Sequence, residues 1–593
     1  MAIYLCIGIA MVIGSNCIIL FTNHILSIMA VLDWIVLIGS LLIITVYGIY
    51  KTRKQLNTES YLRGNNTIPW YMVGFSIMAT QASAITFLSA PGQAFTDGLR
   101  FVQFYFGLPI AMVILCVTVI PIYHKLKIFT AYEYLEARFD LKTRSLAAFL
   151  FLIQRGLAAG LTIYAPAIIL STLLGWNIYF TNIFIGIFVI AYTVTGGTKA
   201  VSITQQWQMA IILTGMILAG FYIVNMLPEN ISFGNATAIA GKLGKLNAID
   251  FTFDMNNRYN IWSGIIGGLF LQLSYFGTDQ SQVARYISGK SISEIRLGLL
   301  MNAIIKIPMQ FVILFMGVLL YVFYLFNQQP VFFNTVVVNQ TKTSAYATAF
   351  KKLEEKHLWV QTEKTKAAQK MVNAPETAQR QIAQQIKNLE IEQKNIKKEA
   401  VKVIKMANQA ADENDTNYIF LTYVLKYFPS GLLGLLIAVM FAASMSSTSS
   451  ELNALAGTFI IDVYKRTLNK NANDKHYLHA AKIATFCWGL FAIGVAMFAN
   501  KLGSLIEAVN QLGSMFYGTI LGIFITGFYV KYIKGSAVFY AALAAQAVIF
   551  LLNSLSNIGF LWFNLIGCTL VVVFGLLITF FKKTLNNAKQ LNL

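Results

Sequence analysis

From residue 32 almost to the carboxyl end, runs of about 20 mostly apolar residues follow one another, each the length a helix needs to cross a bilayer. Backbone groups in hydrocarbon must be satisfied within the structure, so a chain crosses either as helices or as a closed barrel. Barrel strands alternate with period two, whereas these runs are continuously apolar, so the expected fold is an all-α polytopic membrane protein. Composition agrees: 57% of the 593 residues are hydrophobic and 12% are charged, against about 45–50% and 25% in ordinary soluble domains. A net charge of +20 would point to nucleic acid in a soluble chain. Here the Lys and Arg fall mostly in short loops between apolar runs, which membrane topology explains. No nucleic-acid partner is expected.

Hydropathy and helix breakers place spans near 32–50, 68–90, 101–123, 145–173, 176–195, 200–227, 261–285, 294–327, 431–464, 478–500, 502–530, 535–553 and 559–581, about thirteen transmembrane helices. With Lys51, Arg53, Lys54 and Arg63 taken as cytoplasmic, every second loop is basic: Lys125, Lys127, Arg138 and Arg144; Arg285 and Lys290; Lys465 and Arg466; Lys531 and Lys534; Lys582 and Lys583. The positive-inside rule then puts the start of the first span outside and the carboxyl terminus in the cytoplasm of a cell-membrane protein. Residues 1–31 are apolar but lack the basic region of a secretory signal, and this extension is assigned no function. Cys6, Cys17, Cys116, Cys487 and Cys568 lie in apolar stretches without paired or clustered spacing and read as packing residues.

One segment breaks the pattern. Residues 328–416 are polar and rich in Lys, Glu and Gln, with Ile382, Ile386 and Leu389 at three- and four-residue spacing, the mark of an amphipathic helix. Pro375 followed by Glu376 suits a helix start, so two antiparallel helices are expected as an inserted extracytoplasmic hairpin. Such a segment is either a solvated decoration, which charge runs usually are, or a segment that binds an unknown partner or gates the protein.

Polar and small residues inside spans are where chemistry can sit, because each polar group in hydrocarbon must find a partner or a cavity. The second span reads GFSIMATQASAITFLSAPGQAF, and its small and hydroxyl residues suit a discontinuous helix whose freed carbonyls coordinate an ion. The span after the hairpin carries Ala443, Ser446 and Ser447 at three- and four-residue spacing, so one carbonyl and two hydroxyls share a face. Neutral oxygens suit a hard cation. Small-residue helix packing explains the same runs without function.

With these stretches the chain resembles the sodium/solute symporter family, whose members move sugars, proline, iodide, monocarboxylates and vitamins together with sodium. The resemblance covers roughly residues 32–327 and 416–532, and its most specific pieces are AASMSSTSSELNALAGTFIIDVYK, YTVTGGTKAV at Tyr192–Val201 and YFGTDQSQVARY at Tyr275–Tyr286. It implies a LeuT-type core of two inverted five-helix repeats, each with a broken first helix at the midplane. The division that follows is a peripheral first helix and cytoplasmic loop at 32–67, a first repeat at 68–227, an extracytoplasmic loop at 228–260 and a second repeat at 261–327 and 417–532. The hairpin at 328–416 interrupts the second repeat, and 533–593 holds peripheral helices and a cytoplasmic tail. The resemblance implies a sodium ion, and no other metal, on the carbonyls of Ala79, Ala82 and Ala443 and the hydroxyls of Ser446 and Ser447. It implies substrate contacts from Gln81, Thr86, Gln272, Tyr275 and Lys306. Two departures stand out: Gln205 replaces an aspartate common after the double-glycine turn, which puts a second cation site in doubt, and Ile85 with Thr86 replaces the Glu-Gln of sugar carriers.

Lys306 lies about 18 Å into its span, and Arg155 is similarly deep. Each must face the bundle interior, paired with Asp279, Glu507 or helix carbonyl ends, or else meeting substrate. The implied function is sodium-coupled import of a small solute, an organic anion or a sugar, by alternating access, with no catalytic residue. The rival is a transporter-like sensor or scaffold that signals through the hairpin. Proton coupling is disfavoured because Ser446 and Ser447 do not titrate in the physiological range.

Overall fold

The computed structural model describes residues 29–52, 68–229 and 231–591. Among these it is helical, with no strand beyond an isolated bridge between Ile68 and Gly289. Most of the 1–31 extension, and Arg53, Lys54 and Arg63, lie outside the described residues, as does the side chain of Lys51. The principal helices are α1 (Val31–Thr52), α2 (Trp70–Gln81), α3 (Ala84–Asp97), α4 (Leu108–Val117), α5 (Leu141–Leu174), α6 (Ile178–Asn225), α7 (Gly268–Gly277), α8 (Gln280–Tyr286), α9 (Ile292–Phe326), α10 (Ala347–Asn373), α11 (Glu376–Ala407), α12 (Leu432–Thr458), α13 (Asp474–Ala496), α14 (Leu505–Tyr529), α15 (Gly535–Leu555) and α16 (Trp562–Leu591). Nine helical stretches among the described residues are long and apolar enough to cross a membrane, and shorter apolar helices add to them.

Both first helices of the repeats are broken. Between α2 and α3 the chain leaves helical geometry at Ala82, with ψ at 69°, and Ser83 is extended. Ser and Thr compete for neighbouring backbone groups, and the Thr80 hydroxyl donates to the Ser76 carbonyl 2.8 Å away. The second break falls at Thr278 and Asp279, between α7 and α8. Asp279 caps α8 by accepting from the Ser281 amide at 2.9 Å and its hydroxyl at 2.7 Å, which satisfies donors that a helix start leaves unpaired.

The second half of the first broken helix, α3, is fixed by close backbone approach. A Cβ on Gly317 of α9 would lie 2.1 Å from the Pro91 carbonyl oxygen, and one on Gly92 would lie 2.0 Å from that of Thr416. No side chain larger than hydrogen fits either contact.

Two expectations change. The YTVTGGTKAV stretch does not turn: its backbone continues the helix α6 from Ile178 to Asn225. Glycine in a helix interior costs only about 0.5–1 kcal/mol relative to alanine, so a double glycine permits a turn without requiring one. Arg144 and Arg285, counted as loop charges, are buried. Arg144 donates to Asp462 at 2.7 Å and to Glu136 at 2.6 Å, so it ties the start of α5 to the end of the α12 span.

Helices α10 and α11 pack on each other, joined at Ala374 and Pro375. Their polar groups are engaged with the rest of the chain. Gln361 donates to the Tyr324 carbonyl at 2.7 Å, Thr365 donates to that of Leu325 at 2.8 Å, and Tyr321 donates to Glu390 at 2.5 Å. The bonds from Gln361 and Thr365 satisfy carbonyls of the last turn of α9, which no intrahelical amide can reach.

Candidate functional site

The candidate ion ligands come from the last turn of α2, the break that follows it and α12. The Ser446 hydroxyl lies 3.3 Å from the Ala79 carbonyl oxygen, and that of Ser447 lies 3.0 Å from the Ala443 carbonyl oxygen. All four residues, and Ala82, are buried. Ala79 and Ser446 therefore meet across two helices, Ala443 and Ser447 meet within one turn, and Ala82 sits at the break that ends α2. A cation between these oxygens replaces hydroxyl-to-carbonyl bonds with ion-to-oxygen contacts, so the donor set suits a hard monovalent ion.

Gln205 on α6 borders the same place. Its amide nitrogen donates to the hydroxyls of Ser446 at 2.9 Å, Ser450 at 3.0 Å and Thr80 at 3.2 Å, while its oxygen accepts from Ser76 at 2.5 Å. A neutral amide thus fills a polar cluster where an aspartate would bring negative charge.

Next to the ion ligands is an internal cavity of about 100 Å³. Gln81, Thr86, Gln272, Tyr275 and Lys306 all line it, as does Ser447. The five substrate candidates come from three parts of the chain and converge on one space. The Gln81 and Gln272 side-chain oxygens have no hydrogen-bond partner among the described residues. The Tyr275 hydroxyl accepts from Gln282 at 2.6 Å. Lys306 is 1% exposed, and its ammonium has no hydrogen-bond partner among the described residues. It lies 5.7 Å from the ring centre of Tyr105. Neither Asp279 nor Glu507 pairs with it; Glu507 accepts from Arg258 at 2.7 Å.

Arg155 is different. Its guanidinium donates to Asp279, to Glu451 at 3.0 Å and to the Tyr517 hydroxyl at 2.7 Å. Glu451 also accepts from Thr162 at 2.8 Å, and Tyr517 donates to Asp279 at 3.0 Å. This network joins α5, the second helix break, α12 and α14. Sequence reasoning foresaw Asp279 as a partner but passed over Glu451, Thr162 and Tyr517. The available signal was Glu451 itself, a carboxylate inside an apolar span, which requires an internal partner.

A model of the sodium:solute symporter family matches residues 61–358 and 398–544. The chain is similar to sodium-coupled monocarboxylate transporter 1 of Homo sapiens, 26% identical over 521 residues, which cover 87% of this chain and 72% of that protein. It is similar to the sodium/sialic acid symporter NanT of Aliivibrio fischeri, 25% identical over 568 residues and 94% of each chain. Among solved structures, a Na+-coupled sialic acid symporter in a substrate-bound outward-open state superposes with a TM-score of 0.71 at 22% identity, over 92% of this chain and 97% of that one. This likeness shows the fold.

Proposed function

The chain belongs to the sodium:solute symporter family, and we propose that it is a multi-pass membrane carrier importing a small organic anion together with sodium. The observation that carries this reading is the Lys306 ammonium, buried in a cavity and lacking a hydrogen-bond partner among the described residues. An uncompensated buried charge costs several kcal/mol, and a carboxylate arriving with the solute supplies the missing partner. Arg155 is already engaged by Asp279 and Glu451. Two relatives are named for acids, a monocarboxylate and sialic acid.

Sodium would be held by the carbonyls of Ala79, Ala82 and Ala443 and the hydroxyls of Ser446 and Ser447. Ser447 also lines the solute cavity, so one side chain borders both ligands. Bound sodium draws α2 and α12 together, which orders Gln81 and the break beside the solute and raises solute affinity. By linkage the solute raises sodium affinity equally. Alternating access follows when sodium leaves to the cytoplasm and solute binding weakens. The basic loops support the orientation with the start of the first span outside and the carboxyl terminus inside.

The test is thermal stabilisation of the purified protein by monocarboxylates, sialic acid, sugars, amino acids and vitamins, each in sodium and in potassium. Stabilisation by an acid in sodium alone supports the reading. Stabilisation by neutral sugars with no response to acids overturns the anion assignment. Uptake against a concentration gradient in proteoliposomes separates a carrier from a sensor that only binds.

A further inference from the structure

Away from the solute cavity, a second cavity of about 670 Å³ lies between α5, the end of the α12 span and α13. Its walls are apolar, with Ile153 and Leu157 on one side, Phe459 on another and Trp488 and Phe491 on the third. After α12 the chain continues as a π-helix over Phe459–Leu468, a widened turn that often marks a functional position. There Tyr464 meets His476, with the hydroxyl 2.9 Å from Nε2. None of these residues belongs to the ion or solute site.

The cavity has direction. His476 and His479 line it near the amino end of α13, and Trp488 and Phe491 line it farther along. From His476 to Phe491 the helix rises about 22 Å, enough to cover one leaflet of acyl chain, about half of a 30 Å hydrocarbon core, and to reach the headgroup region. At that end the chain is cationic. Residues 465–482 hold Lys465, Arg466, Lys470, Lys475 and Lys482 against the one carboxylate of Asp474. Lys465, Arg466, Lys470, Lys475, His476 and His479 are exposed. Arg466 is partly neutralised by Glu136, 3.3 Å away, which Arg144 also engages.

We infer that this groove is a binding site for a single phospholipid with an anionic headgroup, its acyl chain along α5 and α13 and its phosphate against the basic end. Basic pockets between membrane helices recognise anionic headgroups by the same chemistry. A two-fold contact with a second copy would set these cations against their own equivalents, so charge favours the lipid over self-association.

The experiment compares the full chain in nanodiscs of phosphatidylcholine with and without phosphatidylglycerol, and scores lipid retained through detergent extraction by native mass spectrometry. Phosphatidylglycerol is expected to raise the melting temperature by several degrees and to remain as a one-to-one adduct in high salt, where screening removes loosely attracted lipid. The triple variant Lys465→Gln, Lys475→Gln, His479→Gln is expected to lose both effects. Ala480→Trp, which fills the groove without altering charge, is expected to lose the adduct as well. Equal retention of the two lipids overturns the site, as does a phosphatidylglycerol adduct unchanged in both variants. A cross-linked dimer through Cys487 that persists with phosphatidylglycerol present also overturns it.

Discussion

The Lys306 ammonium lies 5.7 Å from the ring centre of Tyr105 and has no hydrogen-bond partner among the described residues. An aromatic face compensates a buried cation only partly, by about 2 kcal/mol when desolvated. The position therefore favours an anion beside it.

Lys306→Met keeps most of the apolar volume and removes the charge. A residue in a permanent ion pair would leave its partner stranded, at a cost of about 3–5 kcal/mol. Lys306 has no such partner among the described residues, so the variant is expected to melt no lower than the parent. Solute affinity in saturating sodium is expected to fall at least tenfold. A large drop in melting temperature with unchanged affinity would assign Lys306 a structural role.

Ser446→Ala combined with Ser447→Ala removes two neutral oxygens from the proposed sodium ligands. Sodium-dependent uptake is expected to disappear while the protein still inserts and folds, since both hydroxyls accept replacement by a smaller group without overpacking. Uptake with an unaltered sodium dependence in the double variant counts against this ion site.

Glu451→Gln tests the network that sequence reasoning passed over. The carboxylate accepts from Arg155 at 3.0 Å and Thr162 at 2.8 Å. Neutralising it leaves the Arg155 charge with Asp279 alone, and a loss of about 3 kcal/mol is expected. Thermal unfolding measures it, and a melting temperature equal to that of the parent would show that the pair is not structural.

The hairpin should respond to acid. His357 of α10 is 4% exposed, its Nε2 lies 3.1 Å from the Gln329 carbonyl oxygen, and its Nδ1 has no partner among the described residues. Burial, and then the neighbouring charge of Lys364, push its pKa down to about 4 from the usual 6.5. Folding thus favours neutral imidazole: the stabilisation is complete above pH 6.5 and fades as pH falls towards 4, by about 3 kcal/mol. Hydrogen exchange in α10 and α11 is expected to quicken across that window. His357→Gln keeps a donor and should remove the dependence; the same acid response in that variant would assign it to another group.

Much of the fold was legible because hydrophobic length and period are local properties. Apolar runs of fixed length marked the spans, the small and hydroxyl residues of α2 and α3 marked one broken helix, and Pro375 with Glu376 marked the start of α11. The residues proposed around the solute were drawn from a motif resemblance, and their convergence on one cavity depends on packing. Sequence alone could not tell that Arg155 is held by Asp279 and Glu451 whereas Lys306 has no hydrogen-bond partner among the described residues. Both are basic residues deep in apolar helices, and only the approach of other helices decides which charge is paired. It likewise could not show that Gln361 and Thr365 of the polar insertion satisfy carbonyls at the end of α9. Such contacts join residues tens of positions apart, and their free energy depends on distance and burial, quantities that composition and spacing do not contain.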